Sequence, residues 1–309
     1  MTYNEAYRKG IQVLKDANIS SPATDAGVLL CHVMRCDKTY LFAHGDRVAG
    51  EDLLKTYFSL LERRSAGCPL QYLTGMQEFM SLMFEVGPEV LIPRQETELL
   101  VETVIRFCKG PAESSRDGAL PEESSGSGSC PENAERHVSI LDIGTGSGCI
   151  AVSLARYIPG CRVTAVDIMP AALEVARKNA LANGVADRVR FIKSNLFENI
   201  PEEKFDVIVS NPPYVKTGDI NKLQREIGEY EPISALDGGP DGLFFYREII
   251  KSSQAYLRAG GMLAFETGHG QAPDVVRLLS GGVFKNIEVY KDLSGIERVV
   301  TFILFPAAP

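Results

Sequence analysis

The sequence predicts an α/β protein: a parallel sheet with helices on both faces, preceded by a small all-helical N-terminal domain. Three observations carry this. From residue 137 onward, short apolar segments alternate with helical ones, the βαβ pattern of a parallel sheet. A glycine-rich run over 144–148 sits where the first of those strands gives way to a helix. The first 70 residues carry a helical period and no strand alternation. The chain has 309 residues, which suggests about two domains at roughly 150 residues each. Its 45% hydrophobic and 23% charged residues are ordinary globular usage, enough to bury a core without disulfide or metal staples.

Thr2-x-x-Glu5 forms a capping-box pattern that opens a first helix, with Tyr3, Tyr7, Ile11 and Leu14 on one face. Ser21 followed by Pro22 reads as a second start, a cap residue and then proline at the first helical position. Leu29, Leu30, Val33 and Met34 give that helix its buried side. Leu53, Leu54, Tyr57, Phe58 and Leu61 mark a third. These helices make up an N-terminal domain over 1–73. It shows no chemistry of its own, and partner docking is its most economical role. His32, among apolar residues, reads as a packed or edge histidine and not a ligand.

Over 74–93, Phe79, Leu82, Phe84, Val86 and residues 90–92 alternate loosely, punctuated by Gly75, Gly87 and Pro88, which predicts a β-hairpin linker. The catalytic domain is expected over 94–309. It is interrupted at about 110–137 by an insert rich in serine, glutamate, proline and glycine, which lacks the apolar side chains to offset its ordering entropy and reads as disordered. Strands follow at 138–143, 162–168, 189–193 and 205–210, with helices to 157 and over 171–183. A helix over 243–257 precedes a strand at 262–266, a helix follows Pro273, and strands at 287–290 and 299–305 close the chain.

Several function classes are disfavoured. Forty acidic against 32 basic residues leave a formal charge of −8, a poor basis for gripping a nucleic-acid backbone. No apolar run reaches the 18 or so residues of a spanning helix, and the first ten residues lack a signal-peptide core. Seven cysteines, odd in number and never spaced C-x-x-C, indicate reduced thiols in a cytoplasmic protein. Four scattered histidines give no metal site.

The chemistry lies at three strand ends. Asp142-Ile143-Gly144-Thr145-Gly146-Ser147-Gly148 places glycines where a strand turns into a helix, so backbone can approach a ligand closely. Asp167 ends the next strand, where a carboxylate can accept hydrogen bonds from both ribose hydroxyls of an adenosine. NAD and S-adenosylmethionine both carry that ribose, so these two signals leave the choice open. The third is Asn211-Pro212-Pro213-Tyr214. The prolines remove two N–H donors and leave rigid carbonyl acceptors. Asn211 adds a side-chain carbonyl, and Tyr214 offers a ring for a planar group to lie against. Two fixed acceptors suit a substrate that presents an NH2 group.

That run resembles the (Asn/Asp)-Pro-Pro-(Tyr/Phe) motif of S-adenosylmethionine-dependent methyltransferases acting on planar NH2 nitrogens. The rest of the chain is similar to one branch, the protein-(glutamine-N5) methyltransferases of class I peptide chain release factors. The resemblance rests on Ser21-Pro22 with Asp25-Ala26, on Pro69-Leu70-Gln71-Tyr72 with Gly75 and Glu78-Phe79, and on Leu91-Ile92-Pro93-Arg94-Gln95-Glu96-Thr97-Glu98. Tyr230-Glu231-Pro232 with Ala235-Leu236, Gly238-Gly239 and Asp241-Gly242-Leu243 extends it. It covers nearly everything outside the insert, which is longer than the family usually carries. It implies a class I methyltransferase (Rossmann-like) sheet, S-adenosyl-L-methionine as cofactor and release factors as protein partners, with no direct nucleic-acid binding. It also implies a catalytic set of Asn211, Pro212, Pro213 and Tyr214. The implied cofactor set is Gly144, Thr145, Gly146, Ser147, Gly148, Asp167, Asn195, Leu196 and Asn211. The family's usual Ser-Asp after the third strand is Ser194-Asn195 here, so the adenine side keeps an acceptor but brings no charge.

Three other readings compete. Base methylation with the same motif would call for a basic target domain, which the first 75 residues do not supply. A cofactor-binding scaffold without turnover would more readily have lost part of the Gly144, Asp167 and Asn211 set. NAD-dependent oxidoreduction leaves residues 211–214 unexplained.

Overall fold

The computed structural model describes residues 1–110, 137–279 and 282–305. The insert expected to be disordered falls, apart from its ends, outside the described residues. Five helices come first: α1 (Tyr3–Asp16), α2 (Pro22–Met34), α3 (Lys38–Ala43), α4 (Glu51–Ser65) and α5 (Leu70–Thr74). The capping box of α1 is formed: the Glu5 amide donates to Thr2 Oγ1 at 3.2 Å and the Thr2 amide to Glu5 Oε2 at 2.8 Å. Ser21 stands at the N-cap of α2, but its hydroxyl makes no capping bond, so Pro22 alone marks the start. At six and five residues, α3 and α5 are too short to show a period, and the sequence reading passed over both. Leu14, Leu29, Leu30, Tyr57 and Leu61 are fully buried where α1, α2 and α4 meet. His32 is exposed.

One charged group is built into these helices. Arg64 of α4 donates from Nε to Asp25 Oδ2 of α2 at 2.7 Å and from Nη1 to the Cys68 carbonyl at 3.1 Å. Its Nη1 also lies 2.8 Å from Glu226 Oε1, in a distant segment. The Arg64 and Asp25 side chains are 5% and 8% exposed, so the pair is removed from water.

A hairpin follows, β1 (Met76–Phe79) with β2 (Leu82–Glu85). Residues 90–92, expected to share the alternation, form no strand; Val90 and Ile92 are buried from a turn and an irregular stretch. Next come α6 (Glu96–Lys109), β3 (Ser139–Ile143), α7 (Cys149–Tyr157), β4 (Arg162–Asp167), α8 (Pro170–Ala182), β5 (Val189–Lys193) and β6 (Phe205–Ser210). A long connection holds α9 (Arg225–Gly228) and two short 3-10 turns. Then α10 (Phe244–Ser253), β7 (Leu257–Glu266), α11 (Ala272–Leu278), β8 (Phe284–Lys291) and β9 (Glu297–Leu304) complete the described chain.

The seven strands from β3 on are ordered β5-β4-β3-β6-β7-β9-β8. The first five run parallel, but β9 is antiparallel to both its neighbours. The parallel order expected for the sheet holds across five strands and gives way to antiparallel pairing at β9. Residues 292–296, which join β8 to β9, are too few for a parallel crossover and close a hairpin instead. A second correction concerns the helix expected over 243–257. It ends at Ser253, and Leu257 opens a ten-residue strand. Leu257 pairs with Phe205 and Met262 with Val207, so the intervening residues, Gly260 and Gly261 among them, bulge from the ladder. Helices cover both faces as expected. Ile140 and Val207 pack with Leu100 of α6 and Leu154 of α7 on one face. Leu141 and Ile208 pack with Ile249 of α10 and Val275 of α11 on the other. Among the described residues no helix is long and apolar enough to cross a membrane, and six cysteines are free thiols.

Breaking a buried ion pair from one side strands its partner charge away from water. Asp25→Ala should therefore lower stability by about 3–5 kcal/mol, read as a shift in the urea midpoint. Arg64→Met with Asp25→Leu in the same chain should recover much of the loss.

Candidate active site

The order in which strands are added reverses at β3: β4 lies on one side and β6 on the other. The crevice at such a point opens at the carboxyl ends of the strands. Gly144, Asp167, Ser194 and Asn211 each follow directly from those ends or, for Asp167, form one.

The glycine run makes a tight turn. Gly144 and Thr145 amides both donate to the Val166 carbonyl at 2.9 Å, and the Gly148 amide donates to Thr145 at 2.8 Å. Gly144 and Gly146 adopt φ of 74° and 54°. A Cβ on either would meet no atom within 4 Å, so the loop is bare on a side that opens to free space. Ser147 and Thr145 are buried, and Gly148 caps α7, so the helix N-terminus begins where the loop ends. The Thr145 hydroxyl donates to Asp142 Oδ2 at 2.6 Å. Asp142 is fully buried, its Oδ1 has no partner, and burial pushes its carboxyl up to about 7.

Asp167 is drawn to the same loop. Its Oδ2 accepts the Gly146 amide and its Oδ1 the Met169 amide, both at 2.9 Å. It does not cap α8, whose N-cap is Met169. Burial raises its carboxyl above the ordinary range, against the Met169, Gly146 and Ile168 amides that lower it. A carboxylate has about four acceptor positions, so Asp167 keeps capacity for hydroxyl donors. Across the ladder, the Ser194 amide donates to the Asp167 carbonyl at 3.0 Å, which sets Asn195 and Leu196 beside it. Asn195 Nδ2 donates to Glu198 Oε1 at 2.8 Å, leaving Oδ1 as its open acceptor. Leu196 packs on the edge of the core at φ 49°. Bare glycines, an acidic side chain and an acceptor beside an apolar one fit an adenosine carrying a charged tail.

Asn211 follows β6, and Ser210 below it donates to the Ile143 carbonyl at 2.7 Å, tying this strand end to the glycine turn. Pro212 is buried; Pro213 and Tyr214 are half-buried. Gln271 Nε2 donates to the Tyr214 carbonyl at 2.9 Å and Gln271 Oε1 accepts the Gly268 amide at 3.1 Å, so a loop after β7 clamps the motif. Burial pushes the Tyr214 phenol up to about 12. Asn211 and Pro212 line a cavity of about 150 Å³ closed by Leu91, Leu223, Ile227 and Leu236. Arg94 also lines it and pairs with Glu231, Nη2 to Oε1 at 2.6 Å; the Glu231 side chain is 1% exposed.

Four contributors to this geometry were not assigned from sequence. The roles of Arg94 and Glu231 were hidden because 137 residues separate them. Thr97 Oγ1 accepts from Asn211 Nδ2 at 3.2 Å. Glu266, the last residue of β7, is 1% exposed, and burial pushes its carboxyl up to about 7. The signal that could have found Glu266 is the carboxyl-end rule that found Asp167. Among the described residues no group of three or more potential ligands could hold a metal.

Residues 5–75 match the PrmC N-terminal domain family and residues 130–227 the methyltransferase small domain family. A release factor glutamine methyltransferase of Geobacter sulfurreducens is 38% identical over 287 residues, 93% of this chain and 91% of the relative. The chain belongs to the release factor glutamine methyltransferase family. A second member, from Clostridium acetobutylicum, is 35% identical over 97% of this chain and 98% of its own length. Among solved structures, the hMettl16 catalytic domain in complex with a MAT2A 3'UTR hairpin is similar in fold, with a TM-score of 0.52 at 18% identity over 80% of this chain and 84% of that one. The sheet is the class I methyltransferase sheet expected above, with antiparallel pairing at β9.

Two outcomes follow. A Cβ on Gly238 would stand 2.7 Å from the Pro213 carbonyl and 2.8 Å from Tyr214 Cα, both backbone. Gly238→Ala should displace residues 213–214 and cost about 1–3 kcal/mol, visible as a lower melting temperature together with weakened turnover. Asp142 is the second. Its folded value lies above its unfolded one, so the folded state holds the proton more tightly. The stability it contributes is complete below about pH 4 and lost as pH rises through about 7. Urea titrations should show wild type weakening over that window relative to Asp142→Asn.

Proposed function

We propose that this chain methylates the side-chain amide nitrogen, N5, of the glutamine in the Gly-Gly-Gln motif of class I peptide chain release factors, using S-adenosyl-L-methionine. The observation that carries the reading is the placement of two acceptors, Asn211 and Pro212, on one small cavity with apolar walls. A volume of this size holds a benzene-sized guest elsewhere, which is room for one amide-bearing side chain. The names of the relatives favour a release factor as the source of that amide.

When bound, the cofactor supplies a methyl group activated by its sulfonium sulfur. Residues 144–148 would receive it along their bare glycine backbone, Asp167 through its ribose, and Asn195 with Leu196 through its adenine. An amide nitrogen is a poor nucleophile because its lone pair is delocalised into the carbonyl. Asn211 Oδ1 and the Pro212 carbonyl accept its two N–H groups, fix the plane of the amide and favour positive charge on nitrogen as it develops. Such alignment can supply up to about 7–11 kcal/mol of a barrier. Pro213 holds the turn and Tyr214 offers its ring to the planar group. The net change replaces one N–H with N–CH3 and releases a proton.

The helices over 1–73 serve as the docking surface for the factor, the hairpin over 74–93 links them to the catalytic part over 94–309, and the protein works in the cytoplasm without gripping nucleic acid itself. Mass spectrometry of a release factor incubated with the protein and labelled cofactor should show one methyl on the Gly-Gly-Gln glutamine; modification of free glutamine alone would defeat the reading. Asn211→Ala should lower turnover by about 10²-fold or more, as loss of one fixed partner of developing charge does. Asp167→Ala should instead raise the cofactor KM and spare saturated turnover, because the ribose does not change in the reaction. Calorimetry showing unchanged cofactor affinity would remove Asp167 from that role.

A further inference from the structure

A side-chain amide has a donor end and an acceptor end of nearly the same shape, and only one orientation of Asn211 can accept from a substrate NH2. The structure grips the donor end. Ser210 pairs with Phe265 in the ladder, so Asn211 and Glu266 stand side by side at adjacent strand ends. Asn211 Nδ2 donates to Thr97 Oγ1 at 3.2 Å. The side chains of Thr97 and Asn211 also lie close enough to the Glu266 carboxyl to pull it down against burial. Thr97 and Glu266 are 2% and 1% exposed, so water does not compete for these groups.

The polarity of this chain is set from its inner end. An ionised carboxylate only accepts. A Thr97 hydroxyl that turns its proton toward Glu266 presents a lone pair to Asn211. A flipped Asn211 would press Oδ1 against the carboxylate and against a hydroxyl with no proton to offer. With Nδ2 held inward, Oδ1 is left for the cavity that Asn211 and Pro212 line. Glu266 makes no ion pair within 4 Å among the described residues, and its Oε2 is buried with no partner. A buried carboxylate of this kind costs stability, so packing alone gives it no reason to be there.

We propose that Glu266, acting through Thr97, is a positioning residue that fixes the orientation of the Asn211 amide so that Oδ1 faces the substrate nitrogen. The identity of that substrate rests on the function proposed above; the orientation does not.

The groups facing Glu266 are Glu96 on α6, Arg298 on β9, Tyr214 after β6, Tyr246 on α10 and Cys149 on α7. Burial raises its carboxyl to about 7, with Glu96 raising it further while Thr97, Arg298 and Asn211 pull it down. Turnover needs the ionised form, so kcat should fall as pH drops through about 7.

The test is a double-mutant cycle on a release factor with labelled cofactor. Glu266→Gln and Thr97→Val should each lower kcat by about 10²-fold, the scale of a misplaced reacting group, with the cofactor KM unchanged. Thr97→Ser, which keeps the hydroxyl, should restore turnover. In an Asn211→Ala background, Glu266→Gln should cost nothing more, and the acid limb of the kcat profile should be absent from Glu266→Gln alone. Additive losses in the double variant, or full kcat for Thr97→Val, would overturn the proposal. If wild type methylates no release factor, the substrate reading has failed, and the orientation is decided by NMR. In protein labelled with 15N-asparagine, the Asn211 NH2 pair, assigned by its loss in Asn211→Ala, should exchange slowly with solvent in wild type and rapidly in Glu266→Gln. Free-amide exchange in wild type overturns the orientation directly.

Discussion

Parallel pairing of β5, β4, β3, β6 and β7 is the constraint from which the site follows. Strands that run the same way must end on the same side, so every turn that leaves a carboxyl end is delivered to one edge. Residues more than 120 positions apart, from Asp142 to Glu266, thereby become neighbours without any of them having to seek the others. The hydrogen bonds between the turns then refine what the ladder has already brought close. Gly146 to Asp167, Ser194 to Asp167 and Ser210 to Ile143 are all of this kind.

What was legible in the sequence reflects how local each cause is. The Thr2 and Glu5 capping box, the strand at 205–210 and the glycine turn are decided by residues a few positions apart. Their sequence readings match the structure. The strand at 262–266 is legible, but its start at Leu257 is not, because one apolar residue fits either period and only pairing with Phe205 decides it. The antiparallel place of β9 depends on which sheet edge is open, which no single segment records. Within the site, Asn211 and Asp167 could be chosen because each follows an apolar strand. Thr97 could not be, since its partner lies 114 residues away.

The site also departs from the rules that govern the rest of the interior. Elsewhere, buried charge is matched, as Arg64 and Asp25 show. At the strand ends, Asp142 and Glu266 each keep one buried oxygen without a partner. A fold assembled for stability alone would place apolar groups there. Local conflict of this sort tends to collect where chemistry is done, and its cost is carried by the two well-packed faces of the sheet.

Arg64 has one more consequence. Besides Asp25 it holds Glu226, which lies on α9, and the Tyr230 hydroxyl reaches back to the Ala66 carbonyl. Leu223 and Ile227, from the same stretch, wall the cavity beside Asn211. The N-terminal helices and the cavity wall are thus one mechanical unit, although four of the sheet's seven strands lie between them in the sequence. For evolution this means that the front of the chain cannot be exchanged between relatives as a free cassette. A recombinant that trades the first 75 residues inherits a mismatched lining unless the stretch around 223–231 travels with them.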